Sequence, residues 1–300
     1  MHRSGDIADE ALAAALDQVG LDPVLFAAIS TSRGRTGYRT PELGLFARVD
    51  EVGYEERARH EVRFAKWSEP RSLPILRIDP RYPDQPIITA SGSVTLWPLA
   101  QPVRESEIDP DWFGHALGRL HTVNSTSAPS VWNPGLALRT GLEGVRQEHS
   151  ICAESLSTLT SEVDRVLLWL DGPGSALDMG VIHGDASPDN TVCLDGTPLL
   201  IDFEKAGIGP VAYDLSPVRV LAKRFGLHSE FADRTTVASG VSVQLGAQAM
   251  LDRLFELSII LGAIAPYAAR PVFRDEFELR IRTLDDEGAG WTSHRELLAI

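Results

Sequence analysis

The ten residues Val181-Ile182-His183-Gly184-Asp185-Ala186-Ser187-Pro188-Asp189-Asn190, with the short hairpin that follows them, constrain this chain more than any other part of it. The apolar run Val181-Ile182 ends at a polar loop holding Asp185, and Asn190 comes five residues later. Thr191 to Leu194 reads as a strand, Asp195-Gly196 as a tight turn, and Leu199 to Ile201 as a second strand ending on Asp202. Such a hairpin returns Asp202 to the side of Asn190, so two carboxylates and one amide oxygen converge. Hard oxygen donors of this kind suit Mg²⁺, which keeps several waters and binds substrate phosphates. The remaining carboxylate is left to accept a proton or orient a hydroxyl. The bland reading is turn chemistry, since Asp and Gly are turn formers. The fixed spacing, the flanking strands and Tyr213-Asp214-Leu215 downstream favour the chemical one.

The rest of the chain divides by pattern. Residues 1–20 read as an amphipathic helix, 24–30 as a strand, Ser30 to Gly37 as a turn-rich loop, Leu43 to Val49 as a strand and Tyr54 to Trp67 as a helix. Two apolar runs follow, Leu73 to Ile78 and Ile87 to Leu99. Beyond Pro102 helices dominate: Trp112 to His121, then Gly141 to Leu159 and Ser161 to Leu170 after a Ser/Pro/Asn loop over 124–135, and most of the chain from Asp214 onward. The expected organisation is a β-rich lobe over 1–99 and a larger helical lobe over 100–300, an α+β bilobal architecture.

Here the central block resembles the aminoglycoside phosphotransferase and choline kinase group, whose members share the protein-kinase-like fold. His-Gly-Asp, four residues, Asn and then Ile-Asp-Phe-Glu look like that group's catalytic loop and metal aspartate. The resemblance covers about residues 179–218 strongly. It implies that Asp185 is the catalytic base or substrate-orienting carboxylate, and that Asn190 and Asp202 hold Mg²⁺ against the phosphates of ATP or GTP. His183 would pack under the loop, and Asp214 would accept backbone N–H bonds from it. The resemblance also expects a strand lysine paired with a helix glutamate. The matching strand, Leu45 to Val49, offers Arg48 instead, with Glu61 as its natural partner. Arginine can hold phosphate bidentately, but it is bulkier and not equivalent to lysine; Arg48 is either that residue or a surface or salt-bridge residue. Gly34 and Gly37 either let backbone N–H groups approach phosphate or belong to a plain hairpin loop. Trp97 and Leu99 resemble the hinge that reads the nucleobase, although Trp97 equally suits the core.

The same block selects among kinases. Eleven residues separate Asp202 from Asp214, too few for a peptide-binding activation segment, and Ser187 stands where protein kinases place a lysine. A small-molecule hydroxyl acceptor is expected. None of the three lysines follows a glycine, which excludes a P-loop. Gly207-Ile208-Gly209 follows a strand that is in an apparent hairpin, not a βαβ unit. The eight histidines show no zinc-ligand spacing, and two cysteines, Cys152 and Cys193, cannot build a disulfide scaffold.

Charge narrows the partner. The net charge of −14 argues against nucleic acid and anionic membrane surfaces. No apolar run is long enough to span a bilayer and no secretory h-region stands near the start, so a soluble cytoplasmic protein is expected. Residues 101–300 carry 28 acidic and 16 basic groups, against 14 and 12 in residues 1–100. A one-sign cleft concentrates ligands of the other sign, so the acceptor is expected to be cationic, with Asp252, Glu256, Asp275 and Glu276 as candidate contacts, although charged helix residues are more often a solvated face. Three functions follow: an O-phosphotransferase using ATP or GTP on an aminoglycoside-like or other amino-containing compound, a metabolic kinase for a sugar or choline-like alcohol, and a catalytically weak kinase-fold binding protein, which Arg48 favours. Nothing in the sequence sets an oligomeric state.

Overall fold

The structure, a computed structural model, describes residues 4–32, 34–148 and 151–299. The first residues of the expected N-terminal helix, Arg33 of the expected loop, and 149–150 of the expected Gly141 to Leu159 helix lie outside the described residues. The chain forms two compact units that do not follow one cut at residue 99. The first comprises 1–108, 123–130 and 188–207, and the second comprises 109–122, 131–187 and 208–300. The Asn190–Asp202 hairpin therefore belongs with the N-terminal sheet.

In the first unit, β1 (Ala27–Ser32), β2 (Arg35–Thr40), β3 (Leu45–Glu51), β4 (Ile87–Thr89) and β5 (Gly92–Pro98) form one sheet in the order β1-β2-β3-β5-β4, with every described pairing antiparallel. Alternation along β3 assigns its two faces. Ala47 and Val49 join Ala11, Leu12, Ala15 and Leu16 of α1 (Ser4–Gln18) in a buried cluster with Val94 and Leu96. Tyr38 adds its ring to this cluster and donates its hydroxyl to Asp9 at 2.6 Å. The intervening Arg48 and Asp50 are also buried, on the other face, where Arg48 pairs with Glu61 of α2 (Glu55–Ser68). Both faces of β3 are covered, one by apolar side chains and the other, at Arg48 and Asp50, by charged groups paired within the unit.

A second cluster, Ala65, Leu76 and Trp97 with Phe46, Val192, Leu194, Leu199 and Ile201, seats the hairpin within this unit. Its strands, Thr191–Leu194 and Thr197–Leu200, pair as expected across Asp195-Gly196, both with positive φ, the signature of a type I′ turn. The run Leu73 to Ile78 is not a strand of the sheet: Ile75 makes one parallel bridge to Leu200, and its neighbours trade two backbone bonds with the same residue. The loop expected over Ser30 to Gly37 is much shorter. Gly37 lies inside β2, paired with Ser30 and Arg48, because β2 bonds strands on both sides.

The second unit is mainly helical: α3 (Pro110–Thr122), α4 (Pro134–Gln147), α5 (Ala153–Asp171), α6 (Ser216–Arg224), α7 (Ser229–Ser239), α8 (Leu245–Ile259) and α9 (Pro271–Arg282). The expected Ser/Pro/Asn loop ends earlier than the sequence suggests. Asn133 caps α4 by accepting from Leu136 N–H, with Pro134 at the first helical position. The core holds Leu142, Leu159, Val163, Leu254, Phe273 and Phe277. The strand Met179–Ile182, paired with Gly207–Pro210, brings the chain through this core to His183. Among the described residues no helix is long and apolar enough to cross a membrane.

Candidate active site

In the second unit the site begins where a buried strand ends. Val181, Ile182 and His183 are fully buried, and the chain turns at Gly184, whose φ of +80° favours glycine. Asp214, itself fully buried, fixes the turn. Its carboxylate accepts from the N–H of His183 at 2.8 Å and from the N–H of Gly184 at 2.9 Å. His121, in the last turn of α3, donates Nε2–H to the same carboxylate at 2.9 Å, since a carboxylate only accepts. The His183 Nδ1 accepts from the N–H of Asp185 at 3.3 Å, and the Asp185 carbonyl accepts from Ser187 N–H at 2.8 Å. The loop thus has its backbone groups taken up, and the half-buried Asp185 carboxylate is carried on a fixed main chain. The structure brings His183, Asp185 and Asp214 together, with the Asp214 carboxylate accepting from the loop N–H groups of His183 and Gly184. It adds His121, whose only trace in the sequence is a Leu-His pair closing an amphipathic helix.

In the first unit Arg48, Glu61 and Asp202 lie together. Arg48 pairs with Glu61, and its Nη1 is 3.8 Å from Asp202 Oδ1. Asp202 ends the hairpin in the left-handed region at φ +66°. The N–H of Ile201 donates to the carbonyl of Asn190 at 3.0 Å, which holds the two expected metal ligands side by side. Phe203 stacks on Phe64 of α2 at 4.8 Å, so the segment after Asp202 rests on the helix that carries Glu61. Three groups not singled out by sequence complete the cluster: Arg35 on β2, the fully buried Asp50 on β3, and Glu204. Arg35 Nε meets Asp50 at 2.8 Å, its Nη2 meets Glu204 at 2.9 Å and its Nη1 lies 3.5 Å from Asp202. Arg57 adds contacts of 3.5 Å to Glu204 and 3.8 Å to Asp50. Burial first, and the charge of Arg35 second, push Arg48 down to about 10, still a cation at neutral pH. For Arg35, burial works downward but Glu204, Asp50 and Asp202 outweigh it and raise the value.

Among the described residues no three His, Cys, Asp or Glu gather as a metal cluster. Asn190 and Asp202 would offer one amide and one carboxylate oxygen, and the Asp202 side chain is 31% exposed. That suits Mg²⁺, which takes one or two protein carboxylates and fills its remaining positions with phosphate and water.

Other expected contacts fall elsewhere. Gly34 does occupy the β1–β2 turn, but a Cβ there would meet the Tyr54 ring at 2.5 Å, so its glycine already has a packing reason. Gly37, inside a strand, has its backbone paired and offers no loop amide to phosphate. Trp97 is buried on β5, donates Nε1–H to Thr95 at 2.9 Å and lies 5.8 Å from the Arg48 guanidinium. Leu99 donates its N–H to Gly44 at 2.8 Å, so that amide is used within the sheet. Of the expected acceptor contacts, Asp252 pairs with Arg219 at 2.9 Å, Glu256 with Arg224 at 2.8 Å and Glu276 with Arg280 at 2.8 Å. Asp275 alone of the four is exposed. Arg219 and Arg224 of α6 and Arg280 of α9 thus pair three of the four expected contacts.

The phosphotransferase enzyme family matches residues 35–240. No curated protein sequence matches the chain significantly. Among solved structures, the chain is similar to the aminoglycoside phosphotransferase APH(3'')-Id from Streptomyces rimosus, at 16% identity over 83% of this chain and 98% of that one, with a TM-score of 0.65. It is similar to a choline/ethanolamine kinase family protein from Mesorhizobium loti, at 18% identity over 94% of each chain and a TM-score of 0.65. It is also similar to the macrolide 2'-phosphotransferase MphH from Brachybacterium faecium, at 18% identity over 91% of this chain and 98% of that one, with a TM-score of 0.53. What the chain shares with these structures is the protein-kinase-like fold.

Proposed function

Since this chain belongs to the phosphotransferase enzyme family, we propose that it moves the γ-phosphoryl group of ATP or GTP to a hydroxyl of a small molecule that carries an amino group. The observation that carries this reading is Asp202 beside Arg48, with Arg48 paired to Glu61. A carboxylate for a metal and a cation for phosphate stand together, and the cation has its own orienting partner. Mg²⁺ on Asn190 and Asp202, when bound, would neutralise and align the donor phosphates. Arg48 would hold phosphate oxygens through its planar fork, and Glu61 would keep that fork aimed. Asp185, on its pinned loop, accepts the acceptor's hydroxyl proton. The acceptor oxygen bonds to the γ-phosphorus as the bond to the bridging oxygen breaks, and the nucleoside diphosphate leaves.

The acceptor class follows from chemistry that the named relatives share. Aminoglycosides, choline and ethanolamine each join a hydroxyl to a cationic nitrogen. An acceptor of that kind also fits the acidic excess of residues 101–300, although Asp252, Glu256 and Glu276 serve arginines and the contacts must come from other carboxylates. A choline-like or sugar alcohol is the second reading, favoured by the 94% coverage of the choline/ethanolamine kinase family protein.

The test is nucleotide consumption with Mg²⁺ across aminoglycosides, amino sugars, choline and simple sugars, repeated with Asp185→Asn. Turnover is expected on an amine-bearing alcohol and should fall on the order of 10³-fold in the variant, with nucleotide binding little changed. Full activity in Asp185→Asn would sink the assignment. Absence of both turnover and nucleotide binding would favour a binding protein.

A further inference from the structure

Arg35 has no task in the chemistry above, yet like Arg48 it stands against three carboxylates. The β2–β3 register sets it directly opposite Asp50. Asp50 is fully buried and takes Arg35 Nε at 2.8 Å on one oxygen, while Arg48 Nε lies 4.0 Å from the other. Arg48 and Asp50 are two apart on one strand and so project from the same face. Beyond Asp50 the two guanidiniums converge: Arg35 Nη1 is 3.5 Å, and Arg48 Nη1 3.8 Å, from the same Asp202 Oδ1. Each keeps its second Nη on a different carboxylate, Glu204 for Arg35 and Glu61 for Arg48. Arg35 is therefore hydrogen-bonded to Asp50 at Nε, Nη2 lies at ion-pair distance from Glu204 without a hydrogen bond, and Nη1 makes only a long 3.5 Å bond to Asp202.

We propose that Arg35 is a second phosphate-binding residue of the nucleotide site, working with Arg48 as a paired-guanidinium grip, and that Asp50 is the residue that positions the pair. The proposal rests on the reading of Asp202 as the metal carboxylate. Mg²⁺ lies about 2.0–2.1 Å from each oxygen ligand, so a phosphate oxygen sharing an ion with Asp202 sits within about 4 Å of the Asp202 oxygen. Nη1 of Arg35 and Nη1 of Arg48, at 3.5 and 3.8 Å from that same Asp202 oxygen, would be the guanidinium donors nearest to such a phosphate oxygen. Asp50 answers a specific difficulty. Two guanidiniums aimed at one point repel, and a buried carboxylate between them offsets that repulsion before any phosphate arrives. It also accounts for arginine on β3 where the family resemblance expects lysine, because Arg48 reaches Glu61, Asp50 and Asp202 with different nitrogens.

The experiment measures binding of adenosine, AMP, ADP and a non-hydrolysable ATP analogue (and the guanosine series) by calorimetry with Mg²⁺, for wild type, Arg35→Gln and Arg35→Lys, alongside melting temperatures. Arg35→Gln should weaken ADP and the triphosphate analogue about tenfold, the worth of one charge-assisted hydrogen bond, and leave the nucleoside unchanged. Arg35→Lys keeps a cation for Asp50 but loses the fork, and should lose phosphate-dependent affinity at an unaltered melting temperature. If Arg35→Gln does not fold, the lysine variant decides. Equal loss across the whole series, or none, overturns the proposal and leaves Arg35 a structural ion pair. If wild type binds no nucleotide, the donor reading falls and the proposal with it; if wild type binds and the phosphate dependence survives in both variants, only the role of Arg35 falls.

Discussion

Two arginine–carboxylate networks, one in each unit, use the same residue types to opposite ends. In the second unit Arg224 is fully buried and donates to Glu256 at 2.8 Å and to the carbonyls of Asp286, Ala289 and Leu284 at 2.6, 3.1 and 2.9 Å, with Trp291 stacked at 4.4 Å. Arg280 repeats the pattern with Glu276 and the carbonyl of Thr292. In the first unit Arg35 and Arg48 end on carboxylates alone, and one of these, Asp202, is partly exposed. A main-chain carbonyl cannot change partner unless its segment moves. A carboxylate can take a metal ion, and its arginine can turn to phosphate. The partner, rather than the arginine, separates a staple from a site.

The sharpest way to break this comparison is Arg224→Ala. Removing a cation that serves a buried carboxylate and three carbonyls should cost at least about 3 kcal/mol, read as a fall in thermal or denaturant midpoint, with kcat per folded molecule unchanged. Loss of turnover at unchanged stability would show the second network to be functional as well. Arg48→Lys should do the reverse. It preserves charge beside Glu61 but not the reach to Asp50 and Asp202, so the nucleotide KM should rise about tenfold with little change in midpoint. An unchanged KM would mean that the fork of Arg48 is not used. The smallest effect belongs to Asp252. Burial raises its carboxyl above the ordinary aspartate value, against the pull of Arg219 and Gln248. Its folded form therefore binds a proton more readily than its unfolded form. The stability it contributes is fully present below the ordinary value and is lost as pH rises through the raised one. Asp252→Asn should flatten that decline in a series of melting curves across the acid range; an unaltered slope would assign the decline to another group.

Much of the candidate site's geometry could be read directly from sequence because it is local. The hairpin needs only Asp195-Gly196 and two short apolar runs, so Asn190 and Asp202 come together wherever that hairpin forms. The Asp214 carboxylate is long-range, but its spacing from His183 carries a resemblance specific enough to anticipate its bonds to the loop. His121 could not be anticipated in this way, since a histidine at a helix end has no local signature and acquires a role only when α3 packs beneath the Asp185 loop. Gly37 illustrates the opposite error. Gly and polar neighbours read as a loop, but pairing on both edges of β2 overrides local preference.

Charge shows the same boundary most clearly. Composition alone established that residues 101–300 are strongly acidic, and the central motif pointed to the fold class that the comparisons bear out. Which carboxylates remain available was decided by tertiary structure. Glu256 and Asp50 are neutralised by arginines distant in the chain or on a neighbouring strand, Glu276 by Arg280 one helical turn on, and Asp202 is left partly open beside Arg35 and Arg48. Net charge is a sum over residues and survives any rearrangement of the chain. An ion pair depends on distances of a few ångströms between side chains, and only strand register and helix packing set those.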